Sequence, residues 1–325
     1  MRRLLVLLVA ALLLTTAACG GDDSKSSSSS APSSSSKATG DTITGLKVTG
    51  AFGTTPVVKV SPAVKVTKAK TRVLTTGTGP KAQAGKKAMF DFSIAKGSDG
   101  SKVYSDIDAG TPQQRTLSEG QFFKPVVDAL VGKPRGSRVV VADTVKDLWG
   151  SSGASDLKLK KTDTVVLVMD LLSVEPTDVA SAPKGKTVAA PATAPKVVAS
   201  GGKVTGLDFS SAPKKAPTKL QVIPLIEGTG PTVKAGRLTT FNYYGAVWGK
   251  KKAFDSSFSR GTPTAFGVGV NGLIPAWDKT IPGLKVGSRV LIIAPPSTAY
   301  GSKAQTGIPA NSTLTFVVDV LGADT

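Results

Sequence analysis

The pattern of apolar runs and polar turns along the chain predicts mainly β-structure. Four short runs in the C-terminal half are rich in β-branched or aromatic residues and are separated by Gly, Pro and Lys turns, which is typical of strands. They are Leu220 to Ile226, Leu238 to Trp248, Arg289 to Ala294 and Thr313 to Leu321. Only Ile274 to Ile281 has helical spacing. An antiparallel sheet wrapped around one short α-helix satisfies this pattern, because the helix can bury its apolar face against the sheet.

An internal repeat indicates that this α+β unit occurs twice. The matching segments are GTGP at 77–80 and 228–231, GSRV at 136–139 and 287–290, the aromatic-glycine steps at 149–150 and 300–301, and the closing strands at 164–172 and 313–321. The sequence therefore predicts two tandem domains, which we call the first copy (residues 41–176) and the second copy (residues 203–325). An Ala/Pro/Lys-rich linker at 177–202 is expected to join them.

Residues 1–19 resemble the signal peptide of a bacterial lipoprotein. Two arginines are followed by an apolar run from Leu4 to Leu14, and small residues lead to Cys19. The resemblance implies that a lipid is attached to Cys19 and anchors the exported protein to a membrane. An ordinary secretory signal with an incidental cysteine is the alternative, and it also implies export. The Ser-rich residues 20–40 cannot bury apolar area and are expected to form a flexible tether.

The composition excludes several kinds of chemistry. The 325 residues contain no histidine and one cysteine, so His-dependent triads, His metal sites, Cys-rich metal clusters and intrachain disulfides are excluded. We expect neither a cofactor nor a metal. The formal net charge of +19 is compatible with nucleic-acid binding or with a basic surface that faces anionic lipids and wall polymers. We favour the second interpretation, because the basic residues are scattered and no nucleic-acid-binding module is present.

The second copy resembles the FKBP-type peptidyl-prolyl cis-trans isomerases over residues 219–325. The resemblance rests on FNYYG around Tyr243, FDSS at 254–257, Arg260, Phe266, LIPAW at 273–277, VGSRV at 286–290, Tyr300-Gly301, and IPANSTLTFVVDVL from Ile308. It implies two tandem FKBP-like domains, of which the second isomerises Xaa-Pro bonds. Rotation about such a bond breaks no covalent bond, so a protein without histidine can catalyse it.

The resemblance also implies a proline pocket in the second copy. Trp277 would form its floor and Asp255 its polar rim, while the hydroxyl of Tyr300 and the backbone N–H of Ile308 would bind substrate carbonyls. The walls would be Tyr243, Phe254, Phe266, Leu273, Ile274 and Phe316. The simpler interpretation is that the aromatic residues are core residues and that Asp255, which precedes two serines, forms a turn.

The first copy departs from this pattern at the pocket. Aligning the repeats places Phe92, Tyr104, Ser105, Val126 and Trp149 at the positions of Tyr243, Phe254, Asp255, Trp277 and Tyr300. The floor indole, the rim carboxylate and the hydroxyl donor are therefore missing. We expect a domain of the same fold with a deeper, less shaped pocket and little or no isomerase activity, serving as a spacer or as a module that holds polypeptides.

Three functions are compatible with these features. The first is a prolyl isomerase that acts on unfolded or Pro-containing exported polypeptides and is extracytoplasmic, anchored to the bacterial cell membrane as a lipoprotein. The others are a non-catalytic, chaperone-like lipoprotein and a structural envelope protein. The complete pocket set favours the enzyme, because holding alone would not require it. The resemblance further implies macrolide ligands of the rapamycin type. We expect a monomer, since no heptad pattern is present. We expect no nucleic-acid partner, for the reason given above.

Overall fold

The computed structural model describes residues 38–325 of the chain. The predicted lipoprotein signal, with Cys19, and most of the Ser-rich tether lie outside the described residues, so both stay predictions. Within residues 38–325 no helix combines the length and the apolar character that crossing a membrane requires.

Each copy consists of nine strands and a few short helices, and in the structure the first copy begins at β1 and the second at β10, both earlier than the sequence predicts. The first copy contains β1 (Thr39–Gly40), β2 (Leu46–Thr49), β3 (Val57–Val60), β4 (Lys70–Thr75), β5 (Lys87–Lys96), β6 (Lys102–Ser105), α1 (Asp106–Ala109), β7 (Gln113–Thr116), α2 (Lys124–Leu130), β8 (Arg138–Thr144), α3 (Val145–Trp149) and β9 (Thr164–Val174), with 3-10 turns at Gly150–Ser152 and Ser155–Leu157. The second copy contains β10 (Gly185–Thr187), β11 (Lys196–Ser200), β12 (Lys203–Asp208), β13 (Gln221–Gly228), β14 (Arg237–Val247), β15 (Ala253–Ser256), α4 (Ser257–Arg260), β16 (Thr264–Val268), α5 (Pro275–Thr280), β17 (Arg289–Ala294) and β18 (Leu314–Ala323), with a 3-10 turn at Pro296–Thr298.

The two copies have the same sheet topology. The first sheet has the order β1-β4-β8-β9-β5-β6 with β7 also paired to β5, and the second has the order β10-β13-β17-β18-β14-β15 with β16 also paired to β14. All these strand pairs are antiparallel. The structure thus confirms the α+β fold and its two sheet-rich units, which the strand and repeat patterns predict.

One face of each sheet packs on a short helix and the other on a hairpin. In β14, Phe241 and Tyr243 face the cluster that contains Trp277 of α5. Tyr244 and Ala246, which alternate with them, face a second cluster with the hairpin β11–β12. The first copy repeats this arrangement with α2 on one face and the hairpin β2–β3 on the other. The helix side of the second sheet is therefore where the candidate pocket residues collect.

The segment 177–202 is only partly the linker that its composition predicts, because it contains two strands. Gly185–Thr187 forms β10 and pairs with β13 at the edge of the second sheet. Lys196–Ser200 forms β11 and pairs with β12. For β10, the physical reason is that the edge strand β13 offers unpaired backbone N–H and C=O groups. A segment without an apolar pattern can pair with them.

The two copies contact each other near the C-terminus. The buried carboxylate of Asp324 accepts hydrogen bonds from Ser173 Oγ (2.6 Å) and from the Arg135 guanidinium (2.5 Å). Ser173 Oγ in turn accepts the backbone N–H of Leu238 (2.8 Å). Since charge-assisted hydrogen bonds are short and directional, this cluster fixes the second copy against the first.

Candidate active site

An aromatic cluster in the second copy surrounds the indole of Trp277, which is only 5% exposed. The ring centroids of its edge-to-face neighbours lie 5.5 Å away for Phe241, Tyr243 and Phe316 and 6.3 Å away for Phe266. Phe254 extends the cluster, with its ring 5.7 Å from that of Phe316. Edge-to-face contacts suit the charge distribution of aromatic rings, so they hold the cluster in a defined geometry.

The local sequence explains why Trp277 faces the sheet. Pro275 begins α5, where its missing N–H costs no hydrogen bond. Asp278 fixes the preceding loop by accepting the N–H groups of Gly269 (2.7 Å) and Leu273 (3.3 Å). Leu273 and Ile274 consequently pack against the aromatic cluster. The Trp277 Nε1–H is buried and has no acceptor in the part of the chain that the structure describes.

A polar triad of Tyr243, Asp255 and Arg260 lies at the rim of this cluster. The Tyr243 hydroxyl and the Arg260 guanidinium both donate to the Asp255 carboxylate, and Arg260 also donates to the Tyr243 hydroxyl at 2.8 Å. Burial opposes ionisation of Asp255, but the hydrogen bonds from Tyr243 and Arg260 outweigh it and hold the pKa of the carboxyl below its usual value. Asp255 is therefore ionised at neutral pH and orients the Tyr243 ring.

Tyr300 stands at the same rim with a free hydroxyl. The residue is 40% exposed, and its hydroxyl has no hydrogen-bond partner within residues 38–325. Partial burial and, secondly, the negative charge of Asp255 raise the pKa of Tyr300, which indicates that the two groups are neighbours. The hydroxyl is thus free to bind a ligand, and its predicted bond to a substrate carbonyl stays a prediction.

The predicted role of Ile308 as a backbone donor is wrong. Its N–H donates to the carbonyl of Gln305 at 2.9 Å, while its side chain is buried in the cluster around Trp277. The free N–H beside the pocket belongs to Ile274, which has no acceptor within residues 38–325. Backbone donors at a helix N-terminus lack intrahelical partners, so the position of Ile274 before Pro275 is the signal that could have identified it.

Gly245 contributes to the pocket although the sequence does not single it out. A Cβ atom at this position would lie 2.8 Å from the Phe254 ring and 3.0 Å from the Phe316 ring. Such distances are closer than van der Waals contact, so only glycine leaves room for both rings. The first copy has Ile94 at this position of the sheet.

Comparisons with known proteins agree with this geometry. The family model described as FKBP-type peptidyl-prolyl cis-trans isomerase matches residues 230–321, which include the whole aromatic cluster. The chain is 36% identical over 107 residues to an FK506-binding protein of Streptomyces anulatus, covering 32% of this chain and 86% of that protein. It is 44% identical over 111 residues to FK506-binding protein 1 of Debaryomyces hansenii, covering 34% of this chain and 98% of that protein.

The chain belongs to the family of FKBP-type peptidyl-prolyl cis-trans isomerases. A crystal structure of FkpA from Escherichia coli also aligns with it, at 34% sequence identity and a TM-score of 0.30, covering 34% of this chain and 51% of that chain. The enzyme class predicted from the sequence, a peptidyl-prolyl isomerase, is confirmed by the family model and by the named relatives.

Strand pairing corrects the alignment of the first copy with the FKBP-type pocket by one residue. Ser105 pairs with Ser93 in the first sheet, as Ser256 pairs with Tyr244 in the second. Tyr104 therefore occupies the position of Asp255, not that of Phe254. The error has a physical cause: aromatic was matched to aromatic, but a one-residue slip moves a strand residue to the opposite face.

The pocket of the first copy is filled, not deeper as predicted. Phe122 and Phe123 precede α2 where Leu273 and Ile274 precede α5, and both rings pack against the core. Phe92 lies 5.6 Å from Phe122 between ring centroids, and Trp149 lies 4.8 Å from Phe123. These side chains occupy the region that corresponds to the candidate proline pocket of the second copy.

Proposed function

We propose that the second copy isomerises Xaa-Pro bonds in the aromatic pocket above Trp277. The observation that carries this proposal is the combination of a fixed apolar floor and walls with two free donors, the Tyr300 hydroxyl and the Ile274 N–H. Few other arrangements would place unpaired donors beside a packed aromatic cluster. The proline ring would rest on the indole, and the flanking carbonyls would accept from the two donors.

The pocket would act by favouring the twisted amide over the planar one. The barrier of roughly 18–20 kcal/mol reflects the loss of amide resonance, and resonance makes the planar amide the more polar form. An apolar environment disfavours the more polar form, so transfer from water into the pocket lowers the barrier. Hydrogen bonds to the neighbouring carbonyls hold the chain on both sides of the bond while it rotates.

The proposed clients are unfolded or Pro-containing exported polypeptides. The signal-like N-terminus ending at Cys19 supports export and lipid anchoring at a bacterial cell membrane, and the Ser-rich residues that follow would hold the enzyme away from that surface. Xaa-Pro isomerisation takes tens to hundreds of seconds unaided, which is slow enough to limit folding after export. Macrolides that FK506-binding proteins take up are proposed to compete for the same pocket.

Two measurements test this proposal. The full chain should accelerate the proline-limited refolding phase of an unfolded protein, whereas Trp277→Leu should not, and an excess of a macrolide ligand should abolish the acceleration. If the chain binds the unfolded protein without accelerating refolding, the non-catalytic, chaperone-like function replaces this one. For the anchor, the parent should fractionate with membranes and Cys19→Ser should be released; equal membrane association of both would refute lipid attachment.

A further inference from the structure

The first copy touches a wall of the pocket in the second copy. Phe266 belongs to β16 (Thr264–Val268), which pairs with β14 on one side only. Its ring lies 6.3 Å from both Tyr243 and Trp277, between ring centroids. The other edge of β16 faces the first copy. Whatever satisfies the backbone groups on that edge determines where the Phe266 wall stands.

Two side chains of the first copy satisfy these groups on either side of Phe266. The Gln114 Oε1 accepts the N–H of Gly267 at 2.8 Å, and the Lys87 ammonium donates to the carbonyl of Ala265. In a strand, the carbonyl of one residue and the N–H two residues later point to the same side. Gln114 and Lys87 therefore bind β16 where a neighbouring strand otherwise would.

The contacts continue to the ring itself and to the following loop. The Lys87 ammonium lies 5.1 Å from the centroid of the Phe266 ring, a cation–π distance. A Cβ atom on Gly267 would approach the Met89 sulfur to 2.7 Å, and one on Gly272 would approach Gln114 Nε2 to 3.2 Å. The side chains of Met89 and Gln114 thus lie directly against position 267 and would have to move to admit a larger residue there.

We propose that Gln114 and Lys87 of the first copy are positioning residues for the isomerase pocket of the second copy. This inference rests on the proposed function, because it assigns Phe266 to the substrate pocket. The filled first copy then has a task that needs no activity of its own: it supports the edge strand that carries a pocket wall. Neither a spacer nor an independent holding module would require these contacts.

The test compares variants of the full chain in a steady-state assay on a short Xaa-Pro peptide, with kcat and KM determined separately. The double variant Gln114→Ala, Lys87→Met removes the acceptor and the ammonium. We expect kcat/KM to fall about three- to tenfold, mostly through a higher KM, because a displaced wall weakens binding of the proline ring in ground state and transition state alike. As separate single variants, Gln114→Glu, which keeps the acceptor oxygen, should retain most of the activity that Gln114→Ala loses.

Gln121→Ala is the matched control, since it removes an exposed amide from the first copy and should leave kcat and KM unchanged. Thermal midpoints show that each variant is folded at the assay temperature; the milder Lys87→Met alone is used if the double variant is not. Values of kcat and KM within twofold of the parent in the folded variants would overturn the inference while leaving the proposed function intact. A parent that neither isomerises nor binds the peptide would overturn both.

Discussion

At the scale of single residues, the pocket depends on groups that bind no other part of the protein. Ile274 and Tyr300 offer free donors, whereas the Ile308 N–H donates to the carbonyl of Gln305. Among residues 38–325 the buried Trp277 Nε1–H is likewise unpaired. Unpaired polar groups cost free energy when they are buried, so the Trp277 Nε1–H and the free donors of Ile274 and Tyr300 beside one aromatic cluster fit a binding site better than a plain core.

The donor role of Ile274 can be tested by removing its N–H. Its φ of −60° and ψ of 146° suit proline, so Ile274→Pro deletes the donor without forcing the backbone out of its conformation. Losing one hydrogen bond to substrate, about 1–2 kcal/mol, should lower kcat/KM by roughly five- to thirtyfold. Ile274→Val keeps the N–H and is the control. Equal activities of the two variants, with unchanged circular dichroism, would exclude the donor role.

At the scale of secondary structure, continuous runs of β-branched and aromatic residues were sufficient to predict the long central strands. The predicted run Arg289 to Ala294 coincides with β17, and the run Leu238 to Trp248 differs from β14 by one residue at each end. These strands are buried on both faces and therefore carry a strong pattern. The strand β10 was missed because its stability comes from backbone pairing with the edge strand β13, and β11 was missed because it is a short, mostly exposed strand that pairs only with β12.

The site was predictable only where the type of side chain determines its place in the fold. Trp277, Tyr243 and Phe316 lie together as expected, because large aromatic residues at these spacings have few other places in a sheet-and-helix core. The Ile308 error arose because backbone donors depend on loop geometry and not on residue type. The roles of Gly245, Gln114 and Lys87 arise from contacts between distant segments, which no local pattern reveals.

The buried carboxyl of Asp106 should make the stability of the first copy depend on pH. Asp106 takes the place of Ser257, since its Oδ1 accepts the Phe92 N–H at 2.7 Å as Ser257 Oγ accepts the Tyr243 N–H at 2.8 Å. Burial raises the pKa of Asp106 to about 7, although the hydrogen bond from Phe92 opposes this. The folded state therefore binds more protons than the unfolded state between roughly pH 4 and pH 7.

The free energy of unfolding should consequently fall as the pH rises through that window, by at most about 1.4 kcal/mol per pH unit from this group. Asp106→Asn keeps the acceptor for Phe92 but cannot titrate. We expect the thermal midpoint of this variant, relative to the parent, to increase steadily between pH 4.5 and pH 7.5. A difference that stays constant across this range would show that Asp106 does not have the raised pKa.

At the scale of the whole molecule, the two copies are predicted to unfold together. Asp324 of the second copy is held by Arg135, Ser173 Oγ and the N–H of Val174, and its carboxylate is almost fully buried. Removing one partner from a buried charge cluster costs about 3–5 kcal/mol. Asp324→Ala should therefore split a single calorimetric transition into two, while the exposed control Asp128→Ala should not. One unchanged transition in both variants would show that the cluster does not couple the copies.

We propose that the second copy is the catalytic one and that the first supports it. The copies share their topology, yet the second has an aromatic cluster with a charged rim, whereas the first has Phe122, Phe123 and Trp149 in the corresponding region. The two copies therefore share the sheet, whose stability depends on apolar volume, but differ in the residues at the candidate pocket. Contacts from the first copy to the strand of Phe266 explain why the two are joined so closely.

The most direct test of this assignment is the isomerase activity of the full chain after matched substitutions at one structural position. Asp255→Ala alters the rim of the second copy, and Tyr104→Ala alters the corresponding residue of the first copy. We predict that kcat/KM on a short Xaa-Pro peptide falls at least about fivefold, roughly 1 kcal/mol, for Asp255→Ala and stays within twofold of the parent for Tyr104→Ala. A larger loss for Tyr104→Ala than for Asp255→Ala would contradict the account and place the active pocket in the first copy.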